Sequence, residues 1–259
     1  HAGPPFPILV DREAGPYVAS VWSDPDIGIG TFFVTLEGPP GRRLVPPPSP
    51  KTVRIGVRPV SGRLAEALRI LADAPSTRIV CGATDLGLDV TQRHVAFPAL
   101  LSVERVAELD GIREEGDGIT IGAATRLADL EDWSADGLPI VHRMLRYFGS
   151  RQIKHRATIG GNLCNASPIG DLAPVLLALD ADVVLVSTAG ERRLPLSQLF
   201  VGYRKTALAP GELLAQVLVR PTPPGARLGA YKVSRRRELD ISAVSAGMRV
   251  EVDGDGVVT

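Results

Sequence analysis

Cysteine is scarce in this chain: its 259 residues include two, Cys81 and Cys164. An iron–sulfur cluster usually takes about four thiolates, and a structural zinc ion about four Cys or His ligands. The four histidines are scattered, without the short spacing of metal ligands: His1, His94, His142 and His155. The sequence therefore predicts no metal site of its own. Any redox chemistry would need an organic cofactor or partner subunits.

Net charge and long apolar runs are lacking as well. The 29 basic residues balance 29 acidic ones, so nothing favours a nucleic-acid partner or an anionic membrane surface. No apolar run approaches the roughly 20 residues of a transmembrane segment. The chain begins with His1 rather than methionine, which indicates processing, trimming or a fragment. A hydrophobic content of 44% is ample for a buried core.

Composition changes near residue 63. Residues 1–63 are rich in proline and glycine, and three short runs in them are typical of strands: Tyr17–Trp22, Gly30–Leu36 and Thr52–Val57. Three strands bury little core by themselves. We therefore interpret residues 1–63 as a β-rich N-terminal segment that is fused to the rest or is incomplete.

From residue 64 the pattern is mixed. Apolar residues with helical spacing predict a first helix: Leu64, Ala67, Leu68 and Leu71. Gly149 would end a helix at Leu138–Phe148, and Asp171 or Ser167 would lie near the N-cap of a helix at Leu172–Leu179. Strand patterns lie between and after them, at Arg78–Cys81, Ala99–Val103, Ile119–Ala124, Val183–Ser187, Leu213–Val219, Ala230–Val233 and Val244–Val252. We expect an α+β fold for residues 64–225.

A turn of small residues follows the strand at Arg78–Cys81. Gly82, Ala83 and Thr84 leave the backbone uncovered, so their N–H groups can converge on a phosphate. The turn carries neither the GxGxxG fingerprint nor a Walker loop. Taken alone, this pattern favours an ordinary tight connection between a strand and a helix.

The second candidate segment is Ala157–Pro174 (ATIGGNLCNASPIGDLAP). Adjacent glycines, Gly160 and Gly161, permit positive φ and close backbone contact with a flat or charged ligand. Short polar side chains follow, and they need partners if they are buried: Asn162, Asn165, Ser167 and Asp171. Two interpretations stay open, a ligand-binding loop and a polar loop that caps the next helix.

Several motifs in one order resemble the flavin domains of molybdenum hydroxylases, of the xanthine dehydrogenase and aerobic carbon-monoxide dehydrogenase type. They are Gly82–Leu88 (GATDLGL), Ser150–Ile153 (SRQI), Ala157–Asn162 (ATIGGN), Ser167–Asp171 (SPIGD), Gly202–Thr206 (GYRKT), Pro210–Glu212 (PGE) and Tyr231–Val233 (YKV). The resemblance extends over residues 64–259.

The resemblance implies an FAD-binding, PCMH-like fold of two α/β subdomains over residues 64–225. Residues 226–259 would then begin a truncated C-terminal α+β domain. The implied function is electron transfer through FAD, from iron–sulfur clusters to NAD or another acceptor. The molybdenum cofactor and the 2Fe–2S clusters would lie on partner subunits, a molybdopterin-binding subunit and a 2Fe–2S subunit. A cytoplasmic location is implied, and no residue of this chain need be catalytic.

The resemblance also implies cofactor contacts residue by residue. The pyrophosphate of FAD would lie among Cys81, Gly82, Ala83, Thr84, Asp85 and Leu86. The middle of the cofactor would contact Thr158, Gly160, Gly161 and Asn162. Ser167 and Asp171 would bond towards the ribityl and adenosine portion. Leu218 would pack on the flavin or adenine face, and Lys232 would lie near the flavin ring.

Residues 1–63 resemble instead the start of small periplasmic β-sandwich proteins of the FixH-like or copper-handling kind. A mature N-terminal histidine can bind Cu(II) through its amine and ring, which makes His1 a candidate ligand. Two alternative hypotheses follow: a periplasmic β-sandwich metal-binding protein with an accessory domain, and a non-functional hybrid.

Overall fold

The computed structural model describes residues 63–258, apart from 96, 98, 117, 224, 238, 252–253 and 255–256. It also describes the backbone of three earlier strands, at 17–23, 32–37 and 53–58. His1, the candidate copper ligand, lies outside the described residues. Within the described part of the chain, no helix is both long and apolar enough to cross a membrane. No cluster of three or more His, Cys, Asp or Glu side chains could hold a metal ion there.

The first sheet has five strands in the order β2-β1-β3-β5-β4. They are β1 (Tyr17–Ser23), β2 (Phe32–Glu37), β3 (Val53–Arg58), β4 (Arg78–Val80) and β5 (Leu100–Ser102). Strand β5 pairs in parallel with both β3 and β4, and β1 pairs antiparallel with β2 and β3. The strand at 53–58 therefore shares a sheet with strands from beyond the change in composition. Two helices accompany this sheet, α1 (Leu64–Asp73) and α2 (Leu86–Thr91).

The second sheet is antiparallel, in the order β6-β7-β12-β8-β9. Its strands are β6 (Ile112–Glu115), β7 (Gly118–Gly122), β8 (Asp182–Ser187), β9 (Gly190–Pro195) and β12 (Leu213–Val219). Two antiparallel pairs stand apart from it: β10 (Phe200–Gly202) with β11 (Lys205–Thr206), and β13 (Arg227–Val233) with β14 (Val244–Val250).

Five helices lie between β7 and β8 in the chain: α3 (Leu127–Gly137), α4 (Pro139–Leu145), α5 (Arg151–Lys154), α6 (Ile159–Cys164) and α7 (Leu172–Ala178). Strand β8 of the second sheet is buried on both faces. Val183 and Leu185 of β8 join the core under α3, α4, α6 and α7. Val184 and Val186 join a second core with α1. Apolar residues at successive positions of β8 follow from this two-sided burial.

Most predicted elements are found near their expected positions, and one is not. The helix predicted at Leu138–Phe148 is the shorter α4, and the strand predicted at Ile119–Ala124 ends at Gly122. The segment interpreted as a loop around Gly160 and Gly161 is the helix α6, so that prediction is wrong.

Candidate functional site

A cleft of about 610 Å³ opens beside β4 and α6, within the usual range of ligand pockets. Of the residues predicted to contact a cofactor, all except Gly82 and Leu218 line it: Cys81, Ala83, Thr84, Asp85, Leu86, Thr158, Gly160, Gly161, Asn162, Ser167, Asp171 and Lys232. The cleft thus brings together segments that are more than 140 positions apart in the chain.

The turn after β4 presents a row of backbone N–H groups. Gly82 and Ala83 have φ angles of 76° and 59°, and successive backbone N–H groups in such a turn can form a concavity that binds anions. Among the described residues, no acceptor is bonded to the N–H of Ala83, Thr84, Asp85 or Leu86. These N–H groups are available as donors at the cleft, so this turn fits an anionic ligand.

The amide of Gly82 is already used within the protein. It donates to Glu104 Oε1 at 2.9 Å, and the Arg156 guanidinium donates to the same oxygen at 2.7 Å. A Cβ at Gly82 would lie 1.9 Å from the carbonyl oxygen of Arg156. Glycine is therefore required at position 82 because the backbone just before α6 presses against it. Gly82 does not line the cleft.

Helix α6 explains the adjacent glycines in a way the sequence did not predict. Thr158 is its N-cap, and its hydroxyl accepts from the N–H of Gly161 at 3.1 Å. The N–H of Gly160 donates to the carbonyl of Ala123 at 2.8 Å. Neither glycine has a positive φ, and their amides are bonded within the protein.

Close packing is what excludes a side chain from Gly160. A Cβ there would lie 2.7 Å from both Cβ and the carbonyl oxygen of Ala123. A Cβ at Gly161 would lie 3.0 Å from the Thr158 hydroxyl and 3.7 Å from the carbonyl oxygen of Cys81. The small residues thus allow α6 to approach both the second sheet and the turn after β4.

The amide side chain of Asn162 has an unsatisfied acceptor. Its Oδ1 atom is buried and has no hydrogen-bond partner among the described residues, although Asn162 lines the cleft. A buried polar atom without a partner destabilises the fold by about 1–3 kcal/mol. A ligand that donates a hydrogen bond in the cleft would remove this cost.

The hairpin formed by β10 and β11 brings a cation to the cleft mouth. Arg204 lies in its turn, with Nη1 3.9 Å from Oδ2 of Asp85 and 3.4 Å from Oδ1 of Asn165. Thr206 and Leu208 follow it and line the cleft. The motif GYRKT therefore contacts both segments that the sequence singled out.

Asp171 and Lys232 form a buried pair at the cleft. Lys232 Nζ lies 2.9 Å from Asp171 Oδ2, and the Ser242 hydroxyl donates to Oδ1 of the same carboxylate. Asp171 is the residue before α7, but its side chain caps no helix amide. Asp171 is thus the N-cap residue of α7, as predicted, but its carboxylate bonds β13 and the segment before β14 rather than a helix amide.

The two thiols of the cleft are held in the neutral form. Burial raises the pKa of Cys81 to about 11, although a hydrogen bond with Thr158 and the charge of Arg156 act in the opposite direction. Burial raises the pKa of Cys164 to about 12, against a smaller effect of Arg78. Because thiolate is the reactive form, the cleft offers no nucleophilic cysteine.

Leu218 lies on β12 and packs against the second core.

Several residues that line the cleft were not predicted from the sequence: Arg78, Phe148, Ile153, Ile169, Leu208, Asp240 and Ile241. They are mostly apolar, and no local pattern distinguishes them from core residues. Chemically, the cleft combines an anion-binding turn, apolar walls and one unpaired buried acceptor.

Comparison with known proteins decides the family. The sequence matches the model of the FAD binding domain in molybdopterin dehydrogenase over residues 57–222. The chain belongs to this family. The residues of the cleft fit the cofactor: the turn at 83–86 suits a pyrophosphate, Asn162 suits a hydroxyl donor, and the apolar walls suit a flavin ring.

Curated relatives carry this FAD-binding domain within much longer chains. Xanthine dehydrogenase of Oryza sativa subsp. japonica is 32% identical over 212 residues, which are 76% of this chain and 16% of that protein. Nicotinate hydroxylase of Emericella nidulans is 35% identical over 206 residues, which are 72% and 15% of the two chains. The present chain therefore spans about one sixth of the length of these relatives.

Solved structures share the fold of this FAD-binding domain. Carbon monoxide dehydrogenase from Hydrogenophaga pseudoflava, 25% identical, superposes with a TM-score of 0.73 over 78% of this chain and 71% of that one. Reconstituted CO dehydrogenase from Oligotropha carboxidovorans, 28% identical, gives a TM-score of 0.71 over 76% and 69%. The PCMH-like α+β fold expected from the resemblance is confirmed.

Proposed function

We propose that the chain is the flavin module of a molybdenum hydroxylase most like xanthine dehydrogenase. When bound, FAD would supply the electron-transfer chemistry, and the protein would supply binding and orientation. Electrons would come from 2Fe–2S clusters on a partner subunit, which receives them from a molybdenum cofactor on another. The acceptor would be NAD or another oxidant, and the location cytoplasmic. The observation that carries the proposal is the unpaired row of N–H groups at residues 83–86.

Each segment of the cleft has its own part in this proposal. The N–H groups of Ala83 to Leu86 bind the pyrophosphate, and Cys81 and Gly82 shape their turn. Thr158, Gly160 and Gly161 position α6, so that Asn162 bonds the middle of the cofactor. Residues 64–225 form the FAD-binding domain, and residues 226–259 belong to a second domain.

Two other contacts belong to the same proposal. Ser167 lies at the cleft between Asn162 and Asp171, and it would bond towards the ribityl and adenosine portion. Lys232 would lie near the flavin ring, held in place by Asp171 at 2.9 Å. Leu218 would act from behind the cleft wall, since it packs against the second core together with Cys81.

Substitution of Ala83 tests where the pyrophosphate binds. Its φ of 59° suits Asn and Asp, which adopt left-handed backbone readily. Ala83→Asn and Ala83→Asp therefore give matched variants that differ in one charge at the anion-binding turn. We expect Ala83→Asp to bind FAD about tenfold or more weakly than Ala83→Asn, because a carboxylate repels the pyrophosphate. Quenching of flavin fluorescence on titration with protein measures the affinities.

Riboflavin, which has no phosphate, is the control ligand for this pair. Its affinity should be equal in the two variants. FAD binding that is equally strong in Ala83→Asp and Ala83→Asn would refute the placement of the pyrophosphate. A purified, folded chain that shows no flavin absorbance after reconstitution with FAD would refute the function itself.

A further inference from the structure

We propose that Glu104 is a positioning residue that holds the turn after β4 in its anion-binding form. This inference rests on the proposed function, because it concerns the same turn. Glu104 follows β5 in the chain, and its side chain does not line the cleft. Its carboxylate acts through Gly82, one position before the free N–H groups.

The geometry places one oxygen at the junction of both cofactor-binding segments. Glu104 Oε1 accepts from the N–H of Gly82 at 2.9 Å and from Nη2 of Arg156 at 2.7 Å. Arg156 lies two positions before Thr158, the N-cap of α6. A single carboxylate oxygen therefore ties the turn after β4 to the start of α6.

The turn needs such a support because its backbone is not relaxed. Ala83 has a left-handed φ of 59°, which L-residues other than glycine adopt rarely. Its own N–H group is bonded to nothing among the described residues. Without Glu104, the Gly82 amide would lose its acceptor, and the turn could relax to other conformations. FAD would then have to order the turn as it binds, which weakens affinity.

Arg156 keeps the support compatible with an anionic ligand. A carboxylate beside a pyrophosphate site repels the ligand, and a neighbouring guanidinium offsets that charge. The Glu104 side chain is 33% exposed and that of Arg156 60% exposed, so the ion pair itself contributes little to stability. The hydrogen bond to Gly82 is the contact that carries the effect.

Two variants of Glu104 separate its hydrogen bond from its charge. Glu104→Gln keeps an oxygen acceptor for Gly82, whereas Glu104→Ala removes it. We expect Glu104→Ala to bind FAD and ADP about tenfold more weakly, and Glu104→Gln to stay within about threefold of the wild type. Riboflavin affinity should not change, because that ligand does not reach the turn. Glu115→Ala, which breaks the exposed pair with Arg113 on β6, is the matched control.

A measurement without ligand tests the turn directly. In the unliganded protein, hydrogen exchange at the Gly82 amide should be slow in the wild type and in Glu104→Gln. It should be at least about tenfold faster in Glu104→Ala. Unchanged exchange at Gly82, or an equal loss of ADP and riboflavin affinity, would overturn the role of Glu104. If the wild type binds no FAD, the proposed function fails, while the exchange experiment still decides on Glu104.

Discussion

Cys81 and Cys164 show how one residue type can line a ligand site without taking part in chemistry. Both thiols are half-buried at the cleft, with pKa values of about 11 and 12. A raised pKa means that the folded state retains the proton. The stability that these neutral thiols contribute is therefore full below about pH 9 and is lost as pH rises through 11.

Alkylation of the thiols tests these pKa values. The pKa of Cys81 rises from 9.0 to about 11, so at pH 8 its thiolate fraction is about 100-fold below that of a free thiol. We expect iodoacetamide to modify the folded protein more slowly by at least that factor, and to modify both residues readily in urea. Cys81→Ser and Cys164→Ser assign the two rates. Modification of folded protein at the rate of a free thiol would contradict the burial of these side chains.

At the scale of the element, helix α6 depends on residues that are distant in the chain. A helix of six residues with two glycines is intrinsically unstable, since each glycine disfavours helix by about 1 kcal/mol. Its first amides are satisfied from elsewhere: Ile159 N–H donates to the carbonyl of Thr125, and Gly160 N–H to that of Ala123. The fold, rather than local propensity, keeps α6 helical.

Replacing each glycine of α6 by alanine separates propensity from packing. Gly160→Ala should destabilise the protein by about 1–3 kcal/mol, because its Cβ would overlap the backbone of Ala123. The steric cost of this overlap exceeds the gain in helix propensity. Gly161→Ala should lower the free energy of unfolding by less, because the atom nearest to its Cβ is the Thr158 side-chain hydroxyl at 3.0 Å. Urea denaturation gives both values. An equal or greater stability of Gly160→Ala would show that α6 does not pack on Ala123 as described.

The same distinction explains what the sequence could and could not predict. Helix α1 and strand β8 were predicted because their apolar spacing is local and complete. Helix α6 was not, since its acceptors lie more than 30 positions upstream. Within the site, the turn at Gly82 and Ala83 was recognisable from its small residues and from the resemblance. Glu104 was not, because only the folded backbone brings its carboxylate to an amide 22 positions away.

At the scale of the whole molecule, β13 and β14 are attached to the rest of the protein through α7 and the residue before it. Lys232 on β13 bonds Asp171 before α7, and a Cβ at Gly247 on β14 would lie 2.2 Å from the carbonyl oxygen of Pro174. One face of this strand pair is therefore packed tightly on α7. The ion pair is the polar part of that contact, and its side chains are 6% and 2% exposed.

Breaking the pair should loosen this attachment. Lys232→Met leaves the Asp171 carboxylate buried with Ser242 as its remaining partner, which should cost about 3–5 kcal/mol in the free energy of unfolding. Adding Asp171→Leu should recover a large part of that loss, because two apolar side chains of similar volume replace a desolvated pair.

The control is Asp180→Asn, since Asp180 pairs with Arg249 between the end of α7 and β14 but is 61% exposed. The loss in the free energy of unfolding should be much smaller for Asp180→Asn than for Lys232→Met. Denaturation of the FAD-free protein measures all three variants and separates attachment from any cofactor contact of Lys232. If the double variant were no more stable than Lys232→Met, the cost would come from lost packing of the lysine stem rather than from an unpaired charge.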